Sequence, residues 1–255
     1  MACWLTKKDF VYHVHENMQQ QKPIYRIFRS VYKLCNKKSI FVSNYLRGTA
    51  LNCKDGIVVY NSLNENFVKG AKNYRLKMIG AQKINILMVA SLRRFKGVYE
   101  FAELAKRMPQ YFFELVVNAS EKEVSRFINE MGSIENLKVY SAQKNLHPFY
   151  QRAKLLLQLS HPASCIETFG LTILEAMAYG IPAIVPNVGG PTELVDDGIS
   201  GYTVNPLDIE TVKQKIQKLM TDDNFYQQAS EKAFEKSKKF DKQNSLNKIE
   251  EYINL

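Results

Sequence analysis

From residue 84 onward, short apolar runs alternate with stretches in which apolar residues recur every three or four positions. INILMVAS (84–91), FFELVVN (112–118), NLKVYS (136–141), LLLQLS (155–160), IPAIVP (181–186) and YTV (202–204) read as strands. LLLQLS is a continuous apolar run of the kind that a central parallel strand gives. Between the runs, VYEFAELAKRM (98–108), EKEVSRFINEMG (121–132), HPFYQRA (147–153) and ETFGLTILEAMAYG (167–180) read as helices. The last of these has a glycine at each end, which starts and stops it. Residues 207–219 and 223–254 predict closing helices. The repeated βα alternation predicts an α/β fold built on a parallel sheet with helices on both faces.

Upstream, DFVYHV (9–14), KSIFVS (38–43) and GIVVY (56–60) predict three more strands, with a short helix from about Asn44 to Asn52. Residues 23–36 predict a two-faced helix. Lys22, Arg26, Arg29, Lys33 and Lys37 fall on one stripe, opposite Ile24, Ile27, Phe28, Val31 and Leu34. NSLNENFVKGAKNYRLK (61–77) is polar and basic without a clear period, and reads as part of a linker. The expected organisation is a partial N-terminal α/β domain over 1–66, a linker over 67–83, a second α/β domain over 84–222 and C-terminal helices over 223–255.

Charge sharpens this division. Of the net +10, residues 1–75 carry 13 Lys/Arg against 4 Asp/Glu, whereas residues 76–255 carry 22 against 21. A basic pole confined to one segment suggests an anionic surface as partner, and the two-faced helix suits peripheral contact with an anionic membrane as well as an ordinary packed helix. No apolar run reaches the roughly 18 to 20 residues that span a bilayer, and the first residues hold no signal-peptide core. The expected location is cytoplasmic, with peripheral contact at the inner face of the membrane. Cys3, Cys35, Cys53 and Cys165 show no paired spacing, so buried free thiols are expected rather than zinc ligands or disulfides. No nucleic-acid motif accompanies the basic segment, and no nucleic-acid partner is expected.

Three loops at the carboxyl ends of predicted strands carry groups suited to chemistry. Arg93, Arg94 and Lys96 precede a helix and can neutralise a diphosphate. Glu167, Phe169, Gly170, Leu171 and Thr172 lead into a helix start, where backbone N–H groups and the helix dipole favour an anion. Glu167 and Glu175 would accept from sugar hydroxyls, which a phosphate-binding surface does not read. Gly189 and Gly190 allow the backbone to approach a ligand closely. His15 follows a predicted strand at the edge where α/β sheets place ligands. Together these groups imply a phosphorylated or nucleotide-linked sugar.

Residues 84–220 resemble the donor-binding domain of the family-four retaining glycosyltransferases, which have the GT-B fold of two facing Rossmann-like domains. The resemblance is carried by ASLRRFKG (90–97), ETFGLTILEAMAYGIPAIVPNVGG (167–190) and TELVDDGISGYTV (192–204). YHVHEN (12–17), FVSNYL (41–46) and VVYNSL (58–63) resemble the end of that family's N-terminal domain. The resemblance implies Glu175 on the ribose hydroxyls, Glu167 and His15 on the donor sugar, Lys96 on the diphosphate and backbone N–H groups at 170–172 around both.

It further implies a retaining transfer from a UDP- or GDP-linked sugar to a glycan or lipid-linked acceptor in cell-surface polysaccharide synthesis, with no cofactor and no metal. The alternative is a nucleotide-sugar-binding fragment that needs a partner chain for the acceptor half. The sequence departs from the family at Ser91, where an arginine is usual, so Arg93 or Arg94 would substitute. It departs again at Val117-Asn118-Ala119-Ser120, where a glycine-rich loop is favoured, and in the short stretch that precedes the linker.

Overall fold

The computed structural model describes residues 11–17, 27, 30, 38–49, 56–77 and 85–254. The predicted helix over 23–36 lies outside them, apart from Ile27 and Ser30, as do Cys3, Cys35 and Cys53. Contacts divide the chain into two units, one of residues 1–62 with 240–255 and one of residues 63–239.

Among the described residues, the first unit holds a three-stranded parallel sheet, ordered β1 (Val11–Val14), β2 (Lys38–Phe41), β3 (Ile57–Val58). Helix α1 (Asn44–Thr49) follows β2 and buries Leu46. The last helix of the chain, α10 (Lys242–Asn254), belongs to this sheet and not to the second unit. Tyr252 packs with Ile40 and Val59, its hydroxyl accepts from the Ser39 N–H at 2.9 Å, and its carbonyl accepts from Lys38 Nζ at 3.0 Å. The stretch 223–254 is accordingly two helices, α9 (Asp223–Ser237) and α10, broken where Asp241 takes the Asn244 N–H on its side chain. That cap, more than the Lys/Glu-rich composition, decides where the chain turns.

The second unit is a six-stranded parallel sheet in the order β6 (Leu137–Tyr140), β5 (Phe112–Val117), β4 (Asn85–Ala90), β7 (Ala153–Leu157), β8 (Ala183–Pro186), β9 (Gly201–Val204). Counted within the unit this is the doubly wound order, whose direction reverses between β4 and β7. On one face, Ile86, Leu115, Leu157 and Leu159 pack under α3 (Val98–Arg107), which buries Val98, Phe101, Ala102, Leu104 and Ala105. Asn136 pins the end of that helix, its Nδ2 donating to the carbonyls of Ala105, Met108 and Tyr111. Helix α4 (Glu121–Met131) opens with a reciprocal Ser120–Glu123 capping box, and α8 (Ile209–Thr221) with Asp208 accepting from the Thr211 N–H. The expected α/β architecture with helices on both faces is therefore present.

One element departs from expectation. The stretch taken as a linker forms α2 (Glu65–Lys77), and the helix packs within the second unit. Phe67, Ala71 and Tyr74 lie on one helical face at positions i, i+4 and i+7. Phe67 stacks on His147 of α5 (His147–Arg152) with centroids 4.6 Å apart, Ala71 is buried, and the Tyr74 hydroxyl donates to the Gln151 carbonyl at 2.7 Å. Gly70 lies against the same imidazole, where a Cβ would come within 2.8 Å of the ring.

Candidate functional site

A cavity of about 380 Å³ opens at the carboxyl ends of β4, β5 and β7, where the strand order reverses. Its walls come from four short segments: Met88–Ser91 at the end of β4, Val116–Asn118 at the end of β5, Ala142, Gln143 and Leu146 after β6, and Gln158 with Ser160 after β7. The mouth is formed by Lys96, Glu167 and the start of α6 (Leu171–Ala178), with Gly170, Leu171 and Thr172 in the lining.

The sequence places these groups by simple means. Residues 94–96 form a single 3-10 turn ending at Gly97, whose φ of 81° is left-handed. A Cβ at Gly97 would lie 2.2 Å from the Leu159 carbonyl oxygen, so only glycine lets this turn rest against the end of β7. Lys96 is thereby held beside the loop that precedes α6, and its Nζ lies 2.9 Å from Glu167 Oε2 with both side chains about three-quarters covered. Gly170, at φ 105°, starts α6 without any side-chain cap, so the positive end of the helix is presented at the cavity mouth.

Of the residues expected from sequence, Lys96, Glu167, Gly170, Leu171 and Thr172 are brought together. The others are placed elsewhere. Arg93 and Arg94 are exposed, and Arg94 lies over the Tyr99 ring at 4.7 Å. Neither lines the cavity. Phe169 is buried and contributes packing. Gly189 and Gly190 serve a close approach between loops: a Cβ on Gly189 would meet the Glu167 carbonyl at 2.5 Å, and one on Gly190 the Thr168 carbonyl at 2.3 Å. The pair therefore presses the loop that carries Glu167 into position and does not line the cavity itself.

Glu175 is also outside the lining. It stands on the fifth residue of α6, a little over one turn in, and its Oε2 accepts from the Tyr150 hydroxyl at 2.5 Å. Burial pushes the Glu175 carboxyl above its ordinary value, against the hydrogen bond from Tyr150, and pushes the fully buried Tyr150 hydroxyl well up. Tyr150 stacks on Tyr179, whose hydroxyl is pushed up to about 12, chiefly by burial, and which hydrogen-bonds His147. Glu175 thus joins an aromatic cluster between α2, α5 and α6.

His15 lies in the first unit just after β1, with its ring 4.1 Å from that of His13, whose pKa is lowered by burial and by His15. Cys165 is half-buried and free. Among the described residues, no group of three or more His, Cys, Asp or Glu side chains is placed to hold a metal ion, and no helix is long and apolar enough to cross a membrane.

Ser91 and Asn118 were noted in the sequence only as departures from the family pattern, and Gln143, Gln158 and Ser160 were missed. For Gln158 a signal was present, since a glutamine inside the apolar run LLLQLS is a buried polar group that needs a partner. The others are small or polar loop residues whose convergence follows from the strand order alone.

Comparisons with known proteins agree with this fold. The family model described as Glycosyl transferases group 1 matches residues 77–236. The chain is similar to the poly(glycerol-phosphate) alpha-glucosyltransferase of Bacillus subtilis (strain 168), 26% identical over 174 residues, which cover 66% of this chain and 25% of that protein. It is also similar to the exopolysaccharide phosphotransferase SCO2592 of Streptomyces coelicolor, 30% identical over 141 residues, 53% of this chain and 15% of that protein. It thus spans a quarter or less of the length of these two relatives. Among solved structures, Anabaena Alr3699/HepE in complex with UDP and glucose matches with a TM-score of 0.81 at 20% identity, over 99% of this chain and 73% of that one. The sucrose-phosphate synthase of Thermosynechococcus elongatus matches with a TM-score of 0.78 at 19% identity, over 98% and 69%. At such identities the likeness is one of fold.

Proposed function

The chain belongs to the glycosyl transferases group 1, and from that premise we propose that it transfers a sugar from a nucleotide-sugar donor to a glycan or lipid-linked acceptor, with retention at the anomeric carbon. The observation that carries this reading is the convergence of Lys96, Glu167 and the uncapped start of α6 on one cavity at the strand-order reversal. A diphosphate set there would meet the Lys96 ammonium and the N–H groups of Leu171 and Thr172, both of which favour negative charge. Glu167 would turn from Lys96 to the hydroxyls of the donor sugar. As the bond from the anomeric carbon to the diphosphate oxygen breaks, its electron pair stays with the diphosphate. The acceptor hydroxyl bonds the same face of the carbon and gives its proton to the departing oxygen. Lys96 and the helix end stabilise that growing charge. His15 is the proposed further contact to the sugar.

The complexes of Alr3699/HepE with UDP and with UDP-glucose support a uridine-linked donor over a guanosine-linked one. The names of the B. subtilis and S. coelicolor relatives support cell-surface polymer synthesis as the setting. A second reading, a donor-binding portion that requires another chain for turnover, is favoured by the share of those relatives that the chain spans.

Calorimetric titration with a panel of nucleotide sugars, followed by transfer assays on the chain alone, tests both readings. Binding without turnover would support the second; absence of binding by every nucleotide sugar would overturn both. Lys96→Ala should weaken binding of the diphosphate donor by about 1.5 to 3 kcal/mol, the range for a hydrogen bond to a charged group. Unchanged affinity in that variant would remove Lys96 from the site.

A further inference from the structure

His161 opens the loop that leads from β7 to Glu167, and it is tied down by both backbone and side chain. Its N–H donates to the Phe95 carbonyl at 2.8 Å, inside the turn that carries Lys96. Its carbonyl accepts from the N–H groups of Ser164 and Cys165 at 3.1 and 2.9 Å, which curls the loop. Its Nε2 lies 3.0 Å from Glu100 Oε2 in the first turn of α3, with the two side chains 14% and 16% exposed. A ring carbon would stand about 3.3 Å or more from an oxygen, so the nitrogen is what meets the carboxylate.

Both atoms are buried, and neither has a hydrogen bond to any other group among the described residues. The helix dipole favours a carboxylate in a first turn, but a solvated one would serve as well. Removing either partner would leave the other buried and unanswered, which is unfavourable for a group that can carry charge. The pair therefore ties the start of α3 to the loop. Two further contacts cross the same gap: Gly97 rests on the Leu159 carbonyl, and Lys96 Nζ meets Glu167 Oε2. His161 lies between them in the chain, so its hold on Glu100 sets the approach of the turn at 94–96 to the loop at 161–167.

We propose that His161, clamped to Glu100, is a positioning residue that fixes Lys96 opposite Glu167 at the cavity mouth and so acts on a bound diphosphate through Lys96. The inference rests on reading the cavity as the nucleotide-sugar site. Neither His161 nor Glu100 lines that cavity, so neither touches the ligand itself. Their effect is confined to the part of the ligand that Lys96 meets.

The test uses calorimetric titration with UDP and with UMP, or with GDP and GMP if UDP does not bind. The proteins compared are wild type, His161→Ala, Glu100→Ala, Glu100→Gln, Lys96→Ala and the Lys96→Ala/His161→Ala double variant, each checked for fold by circular dichroism. His161→Ala and Glu100→Ala should each weaken UDP about tenfold and leave UMP unchanged, the size expected for coupled neighbours in one network. Either variant suffices if the other fails to fold. Glu100→Gln keeps an acceptor for His161 and should restore most of the lost affinity. Adding His161→Ala to Lys96→Ala should cause no further loss. Equal weakening of UDP and UMP would show a general structural role and overturn the proposal, as would unchanged UDP affinity in a folded alanine variant. Additive losses in the double variant would also overturn it, because His161 would then act other than through Lys96. In all these cases the donor site still stands, whereas failure of wild type to bind UDP or GDP would overturn the donor-site reading and the proposal together.

Discussion

Burial holds the Glu175 carboxyl above the ordinary carboxylate range, and the hydrogen bond from Tyr150 offsets this only in part. A raised folded value means that the neutral form is favoured in the fold. Its contribution to stability is complete below the unfolded value of about 4.3 and is lost as pH rises through the folded one. Glu175→Gln keeps an acceptor for Tyr150 and cannot ionise, so its stability relative to wild type should increase between about pH 4 and pH 7, as urea denaturation at the two values would reveal. Glu114 behaves in the opposite sense. Burial would raise it, but hydrogen bonds from Arg152, Asn85 and Tyr140 outweigh that and hold it below the ordinary range. Its stabilisation is present above the unfolded value and is lost as pH falls through the folded one. Arg152→Ala leaves a carboxylate whose side chain is 6% exposed without its cation, and should cost about 2 to 3 kcal/mol at pH 7 and less at pH 3. An equal cost at both pH values would contradict the charged pairing.

Loops and helices follow from the chain by different rules, and this decided what could be read in advance. The strands of the second unit were legible because apolar runs are what a buried parallel sheet requires. Helix α2 was not, although Phe67, Ala71 and Tyr74 carry its spacing, because Lys69, Lys72, Asn73 and Arg75 surround them with polarity. Only packing against α5 makes the apolar stripe count. The site was half legible: Lys96, Glu167 and 170–172 follow from loop position, while the outward turn of Arg94 onto Tyr99 and the engagement of Glu175 by Tyr150 are tertiary events. Gly189 and Gly190 were read as room for a ligand, whereas they make room for the backbone of 167–169. Because that crowding is backbone on backbone, Gly190→Ala should destabilise by about 1 to 3 kcal/mol. It should also weaken nucleotide binding through displacement of Glu167. A variant with wild-type denaturation and affinity would show that the two loops can part freely.

The chain leaves its first unit after Ser62, builds the second through Lys239 and returns to the first with α10. The first unit is therefore closed by a segment distant in sequence, which sets Tyr252 against Ile40 and Val59 of its sheet. This closure carries a loop cost that grows only slowly with sequence separation. The Tyr252 hydroxyl is central to it, because the Ser39 N–H that it accepts is buried in β2. Tyr252→Phe preserves the ring and removes only that acceptor, leaving the buried donor to lose about 1 to 3 kcal/mol. The expected readout is local: faster hydrogen exchange at the Ser39 amide and through β2, with protection unchanged in β4, β5 and β7. Loss of protection in the second unit as well would mean that the two units unfold as one. Unchanged exchange at Ser39 would mean that α10 does not hold the first sheet closed.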